Sequence, residues 1–163
     1  MGIVALIAIG AFLLTKAPGL SGGGFESGDD VTMLARMLAS EASSQGDAAR
    51  TAIAYSALNK ARKSGKSFAA MSNGIGPCCK GRPWSTARAG SARDLADAKR
   101  ILAIYPSGDP TYGSTTFFEP AVQDLLFKQG REGYKSDAAD IRRRWTAEGK
   151  VLTARIGGWE FYA

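Results

Sequence analysis

The chain contains no histidine. A Ser-His-Asp or Cys-His nucleophile system is therefore excluded, as is zinc held by imidazole. Cysteine is nearly absent too: the two present, Cys78 and Cys79, are neighbours. Adjacent cysteines rarely reach disulfide geometry, and two thiols without a second pair make a poor metal site. They read as loop residues, and no metal or organic cofactor is expected. Catalysis is left to carboxylates, Lys, Tyr, Ser/Thr or those thiols. No internal repeat is visible, and no helix-turn-helix, finger or RNA-binding motif is present.

What is present is positive charge and an apolar start. Lys and Arg number 21 against 15 Asp and Glu, a net charge of +6. Such a surface suits a polyanion: nucleic acid, anionic lipid or the anionic bacterial wall. The run Arg142-Arg143-Arg144 does not select nucleic acid. On a helix, consecutive side chains spread over about 200° of arc rather than forming one patch. Nucleic acid is not the expected partner.

Gly2 to Leu14 is uncharged and almost wholly apolar. As a helix it rises about 20 Å, short of the ~30 Å hydrocarbon core, unless it runs on past a snorkelling Lys16 toward Leu20. No Lys or Arg precedes it and no clear small-x-small cleavage site follows. Leu6 breaks the myristoylation pattern. Residues 1–17 are read as a membrane anchor engaging the bilayer through residues 2–15, with a secretory signal as the rival. Lys16 alone weakly favours a cytoplasmic C-terminal side. Residues 18–28, centred on Ser21-Gly22-Gly23-Gly24, read as a flexible linker. Residues 29–163 are long enough for one core.

That domain reads as mainly α with a small β element. Asp29 or Asp30 is expected to cap a first helix to about Ser43. Gly46-Asp47 opens a second to about Lys63. A short helix covers 67–72, and 73–83 is a Gly/Pro-rich loop. Ser91 and Asp94 resemble a capping box, opening a helix with Leu95, Ala98, Leu102 and Tyr105 inward. Thr115 to Phe118 is β-like, and Pro120 opens a helix to Lys128. Ser136 or Asp137 caps another, with Ile141 and Trp145 inward and the three arginines outward. Residues 151–162 are extended and close the domain. Trp84, Trp145 and Trp159 suit a core more than a ligand platform, Trp84 least so because it lies beside the loop.

Within this pattern Glu41 is out of place. Leu34, Met37, Leu38 and Glu41 fall at i, i+3, i+4 and i+7, on one helix face. A carboxylate there loses water, which disfavours its charged form, and a carboxyl still protonated near neutral pH suits a general acid. The bland alternative is a glutamate that bends to solvent or pairs with an arginine.

Several segments together resemble the cell-wall hydrolase family typified by spore cortex-lytic enzymes, with relatives in phage and bacterial genomes. They are Leu34-Ala35-Arg36 through Ser40-Glu41-Ala42, then Gly46, then Ala52-x-Ala54 to Ala57-Leu58-Asn59-Lys60. Gly81-Arg82-Pro83-Trp84-Ser85-Thr86 follows, then Asp109-Pro110-Thr111-x-Gly113 with Phe117 and Pro120. The tail adds Tyr134-Lys135-Ser136 to Arg144-Trp145 and Trp159-Glu160-Phe161-Tyr162. The likeness covers roughly residues 31–162. It implies a lysozyme-like single domain that cleaves peptidoglycan glycan strands as a lytic transglycosylase or muramidase. The family's catalytic glutamate falls on Glu41. Trp84, Ser85, Thr86 and Thr116 are the candidates for lining the sugar groove. The chain departs from the family at Thr115–Pro120, where relatives carry an aromatic-rich or His-containing run. The cysteine pair is also foreign to it.

Two-carboxylate glycosidases need a second acid. Asp47 reads as a helix cap, Asp109 as a turn residue, and Glu119 as the start of a helix. A lone glutamate fits a transglycosylase, with a muramidase as the alternative. Two other readings stand: a catalytically inert wall-binding or virion structural protein, and a membrane-tethered nucleic-acid handler. The expected location is the bacterial envelope or periplasm, or a phage virion.

Overall fold

The computed structural model describes residues 28–72 and 88–163. The anchor segment, nearly all of the linker, Cys78, Cys79, Trp84, Ser85 and Thr86 lie outside the described residues. Among the described residues no helix is long and apolar enough to cross a membrane.

Among the described residues six helices and three short strands follow in order. They are α1 Gly28–Glu41, α2 Asp47–Lys63, α3 Phe68–Ser72, α4 Ala92–Ile104, β1 Thr116–Phe118, α5 Pro120–Lys128, α6 Ala138–Ala147, β2 Leu152–Ile156 and β3 Trp159–Tyr162. The mainly helical reading with a small β element holds. The strands form one antiparallel sheet in the order β1-β3-β2.

The second helix is the centre. Every residue from Ala52 to Leu58 is buried, so α2 is enclosed on all sides, as a helix without a polar face must be. Its small residues let neighbours approach closely. Leu34, Met37 and Leu38 of α1, Phe68 and Met71 of α3, Ala98 and Ile101 of α4, and Phe161 of β3 surround it. Two glycines set contact distances. A β-carbon on Gly90 would stand 2.8 Å from that of Ala35, so the chain entering α4 can lie on α1 only without a side chain. Gly157 is similar: its φ is +57° and a β-carbon there would meet Ala49 at 2.9 Å. The β2–β3 turn thus rests against the start of α2.

A second, smaller core is aromatic. Phe118, Ile141 and Tyr162 bury together with Trp145 and Leu152. Trp145 stands edge-on to Phe118 and Tyr162, with ring centroids 5.2 and 5.0 Å away. Trp159 meets Phe117 in the same way at 5.6 Å. Trp145 and Trp159 are therefore packing residues, as their sequence context suggested.

Several local expectations change. Gly28 opens α1 instead of ending the linker. Buried Asp30 does not cap its own helix; its Oδ1 accepts from the Ala69 amide at 2.7 Å, capping α3. Gly46, not Asp47, is the N-cap of α2. The first helix ends at Glu41, short of Ser43. Leu95 is exposed, and Ile101 is buried beside Ala98 instead. Arg142 does not spread outward; it turns back onto Glu160.

Glu160 explains that last difference. It is buried in β3, where Arg142 donates to it at 2.9 and 3.0 Å, Arg155 at 3.0 Å and the Tyr162 hydroxyl at 2.8 Å. Burial alone would raise its carboxyl pKa. The bonds from Arg142, Tyr162 and Arg155 outweigh that and lower it from 4.5 to about 2. A carboxyl depressed in the folded state stabilises above its unfolded pKa and stops doing so as pH falls through the folded one. The shift corresponds to about 2–3 kcal/mol after allowance for the exposed arginines. The wild-type chain should lose this increment between pH 4.5 and about 2. Glu160→Gln should show lower stability at pH 7 and a flatter acid limb in urea titrations. Parallel acid limbs would show that the cluster contributes nothing.

Candidate active site

Glu41 is the last residue of α1. The stripe leading to it is fully buried at Leu34, Met37 and Leu38, while Glu41 itself is half-buried. Its carboxylate therefore sits at the rim of the core. Carbonyls at a helix C-terminus carry partial negative charge, and the last turn of α1 holds no basic residue.

The backbone just beyond Glu41 is held by a buried cation. Arg50, on the first turn of α2 and 1% exposed, donates through Nη1 to the Ala42 carbonyl at 2.9 Å. Its Nη2 donates to Asp94 Oδ1 at 2.7 Å and its Nε to Asp97 Oδ2 at 2.9 Å. Asp94 is already bound: its Oδ2 accepts from the Ser91 amide and hydroxyl, completing the expected capping box of α4. Burial would raise the Asp94 pKa, but the bonds from Arg50 and Ser91 lower it below the usual carboxylate value. One guanidinium thus ties the end of α1, the start of α2 and the face of α4.

The sequence carried a signal for Arg50. Arg50, Ile53, Ala54 and Ala57 repeat the i, i+3, i+4, i+7 spacing that singled out Glu41. A charge on a buried stripe marked both residues.

The three carboxylates weighed as second acids separate clearly. Asp47 is exposed and pairs with Arg93 at 2.7 Å; that bond lowers its pKa. Asp109 is a turn residue, as expected. It accepts from the Thr111 amide and hydroxyl, the Gly113 amide and Asn59 Nδ2, all within 2.8 Å. Burial would raise the Asp109 pKa, and these bonds lower it. Glu119 differs. It is the N-cap of α5 but its side chain makes no cap bond. Among the described residues nothing donates to its carboxylate, and Oε1 lies 3.9 Å from where a β-carbon on Gly158 would stand.

Thr116 opens β1 and pairs with Tyr162 of β3. It is half-buried. The elements carrying Glu41 and Thr116 both pack against α2. Trp84, Ser85 and Thr86 are outside the described residues, so the structure places one of the four sugar-groove candidates. A cleft of about 420 Å³ lies elsewhere, lined by Asp47, Thr51, Asp97, Arg100, Pro110 and Ile156. Glu41 does not line it. Its polar side chains bind one another or neighbours: Arg100 donates to Thr51 and Asp97, and Arg93 to Asp47.

Among the described residues no group of three or more acids, Cys or His could hold a metal ion. No protein-family model, curated protein or solved structure matches this chain.

Proposed function

We propose that this chain cleaves the β-1,4 glycan strands of bacterial peptidoglycan as a lytic transglycosylase, with Glu41 as its single general acid/base. The proposal includes a lysozyme-like fold and a membrane tether through residues 2–15. The site of action would be the cell envelope, or the host wall if a phage virion carries the protein. The supporting observation is the position of Glu41, half-buried at the end of a fully buried stripe of α1, which sets a carboxyl at the rim of the core. The mechanism draws on the protonated form, the one that can donate.

The reaction needs little else. Glu41 gives its proton to the glycosidic oxygen as the bond to C1 of N-acetylmuramic acid breaks. The sugar passes through an oxocarbenium-like state. The resulting carboxylate takes the proton from the sugar's own 6-hydroxyl, whose oxygen bonds to C1. Glu41 ends protonated, no water is consumed, and the product is a 1,6-anhydro sugar. Ser85, Thr86, Thr116 and Trp84 would hold the strand. No cofactor is called for, and nucleic acid has no part.

One observation favours the muramidase reading. Glu119 is the carboxylate of the three candidates that no described donor occupies, and a hydrolase would need such a group to activate water or stabilise C1. The proposal is tested by incubating the chain with purified sacculi. Clearing with release of soluble muropeptides is expected. Intact sacculi with bound protein would support the inert wall-binding reading instead.

A further inference from the structure

Helix α5 is inside out. It has no fully buried residue. Its polar side chains face the protein: Gln123 donates to the Ser136 carbonyl at 2.5 Å, and Asp124 accepts from the Ala138 amide at 2.7 Å. Its apolar side chains face out. Val122 and Leu125, neighbours at i and i+3, are 39% and 53% exposed. Ala121 is exposed beside them and Leu126 is half-buried. A surface helix normally turns its apolar stripe inward. Here the inward positions are used to hold the loop into α6, and the apolar stripe is left for something else.

Its surroundings are basic and aromatic. Lys128, Arg131 and Lys135 follow within eight residues, against one carboxylate, Glu132. Tyr134 is 36% exposed. An exposed apolar helix face followed directly in sequence by Lys, Arg and an exposed Tyr is the composition of a helix lying in a membrane interface. Basic side chains near an anionic leaflet are drawn to it electrostatically.

The chain supplies a reason for a bilayer to be the occupant. The uncharged run Gly2–Leu14 precedes α1 by a short Gly/Ser-rich stretch, residues 18–27. Extended, those residues span at most about 35 Å. A domain of about 135 residues has a radius of gyration of roughly 14 Å. Such a tether keeps the domain at the bilayer while letting α5 reach it.

We propose that α5 docks on an anionic phospholipid surface. Val122 and Leu125 enter the boundary between headgroups and acyl chains, and Lys128, Arg131 and Lys135 meet lipid phosphates. This rests on the anchor reading of residues 2–15 and not on the role of Glu41. Docking would fix the height and orientation of the domain above the membrane, beyond what a flexible linker can set.

The full chain is embedded in vesicles of phosphatidylglycerol and phosphatidylethanolamine, and in vesicles of phosphatidylcholine alone. Flotation measures insertion, and hydrogen exchange reads the α5 amides. Exchange should slow about tenfold or more in the anionic vesicles relative to the neutral ones. High salt should reverse the slowing. The pair Val122→Gln and Leu125→Gln should remove it while the chain still floats and its circular dichroism is unchanged. Equal exchange in both vesicles, with the chain floating, overturns the docking alone. A chain that does not float overturns docking and anchor together. Slowing that follows protein concentration without lipid would assign the face to a second copy of the chain and overturn the proposal.

Discussion

Glu41→Gln is expected to abolish release of muropeptides from purified sacculi. Gln preserves the shape and the half-buried position of the side chain but has no carboxyl proton to give. Loss of general acid–base catalysis typically costs about 10²–10⁴-fold. In the proposed mechanism the same group also accepts the second proton, so the loss should fall at the upper end. The variant should still fold, because the stripe beneath it ends at Leu38 and Gln adds no buried charge. Circular dichroism and the denaturation midpoint should match wild type. A folded variant that clears sacculi at the wild-type rate removes Glu41 from the chemistry.

The second large effect is on stability. Arg50→Met should lower the unfolding free energy by about 3–5 kcal/mol, because removing one member of a buried ion group leaves its partners charged without compensation. Asp94 would lose its closest cation and the Ala42 carbonyl its donor. Methionine keeps most of the volume, so the loss reports the charge and not a cavity. For a domain with about 5–15 kcal/mol in total this is a large fraction. Adding Asp94→Asn should recover part of it, since the stranded carboxylate is then gone. Urea titrations of wild type and the two variants measure this. A loss below about 1 kcal/mol would mean that the guanidinium does not tie α1, α2 and α4 together.

These two residues show what was legible in the sequence. Both are charges on an apolar helical stripe, and local periodicity is enough to find them. Periodicity marks Glu41, and the resemblance to a hydrolase family adds a role for it; Arg50 has the same spacing and no such second signal. Local signals served well elsewhere: the Ser91–Asp94 capping box, Pro120 at the start of α5, and Asp137 as the N-cap of α6 are all as expected. Failures came where a distant element decides. Helix geometry alone spreads Arg142, Arg143 and Arg144 outward; the partner that turns Arg142 back, Glu160, comes from β3, 18 residues on. Asp30 looked like a cap for its own helix, and tertiary packing gave it to α3 instead. Leu95 fitted the apolar row of α4, yet the approach of α1 selected Ile101. In the candidate site, the carboxylate and Thr116 fall on described elements, and the stretch 84–86 does not.

The account is tested most directly by the chemistry of the cut ends. In the proposed mechanism, with Glu41 as the lone acid/base, the sugar's own 6-hydroxyl is the attacking group. Muropeptides released from sacculi should carry 1,6-anhydro-N-acetylmuramic acid ends, lighter by one water than hydrolytic ends and unchanged by borohydride. Mass spectrometry before and after reduction separates the outcomes. Anhydro ends are the predicted result. Reducing N-acetylmuramic acid ends would contradict it, showing that water attacked and turning attention to Glu119.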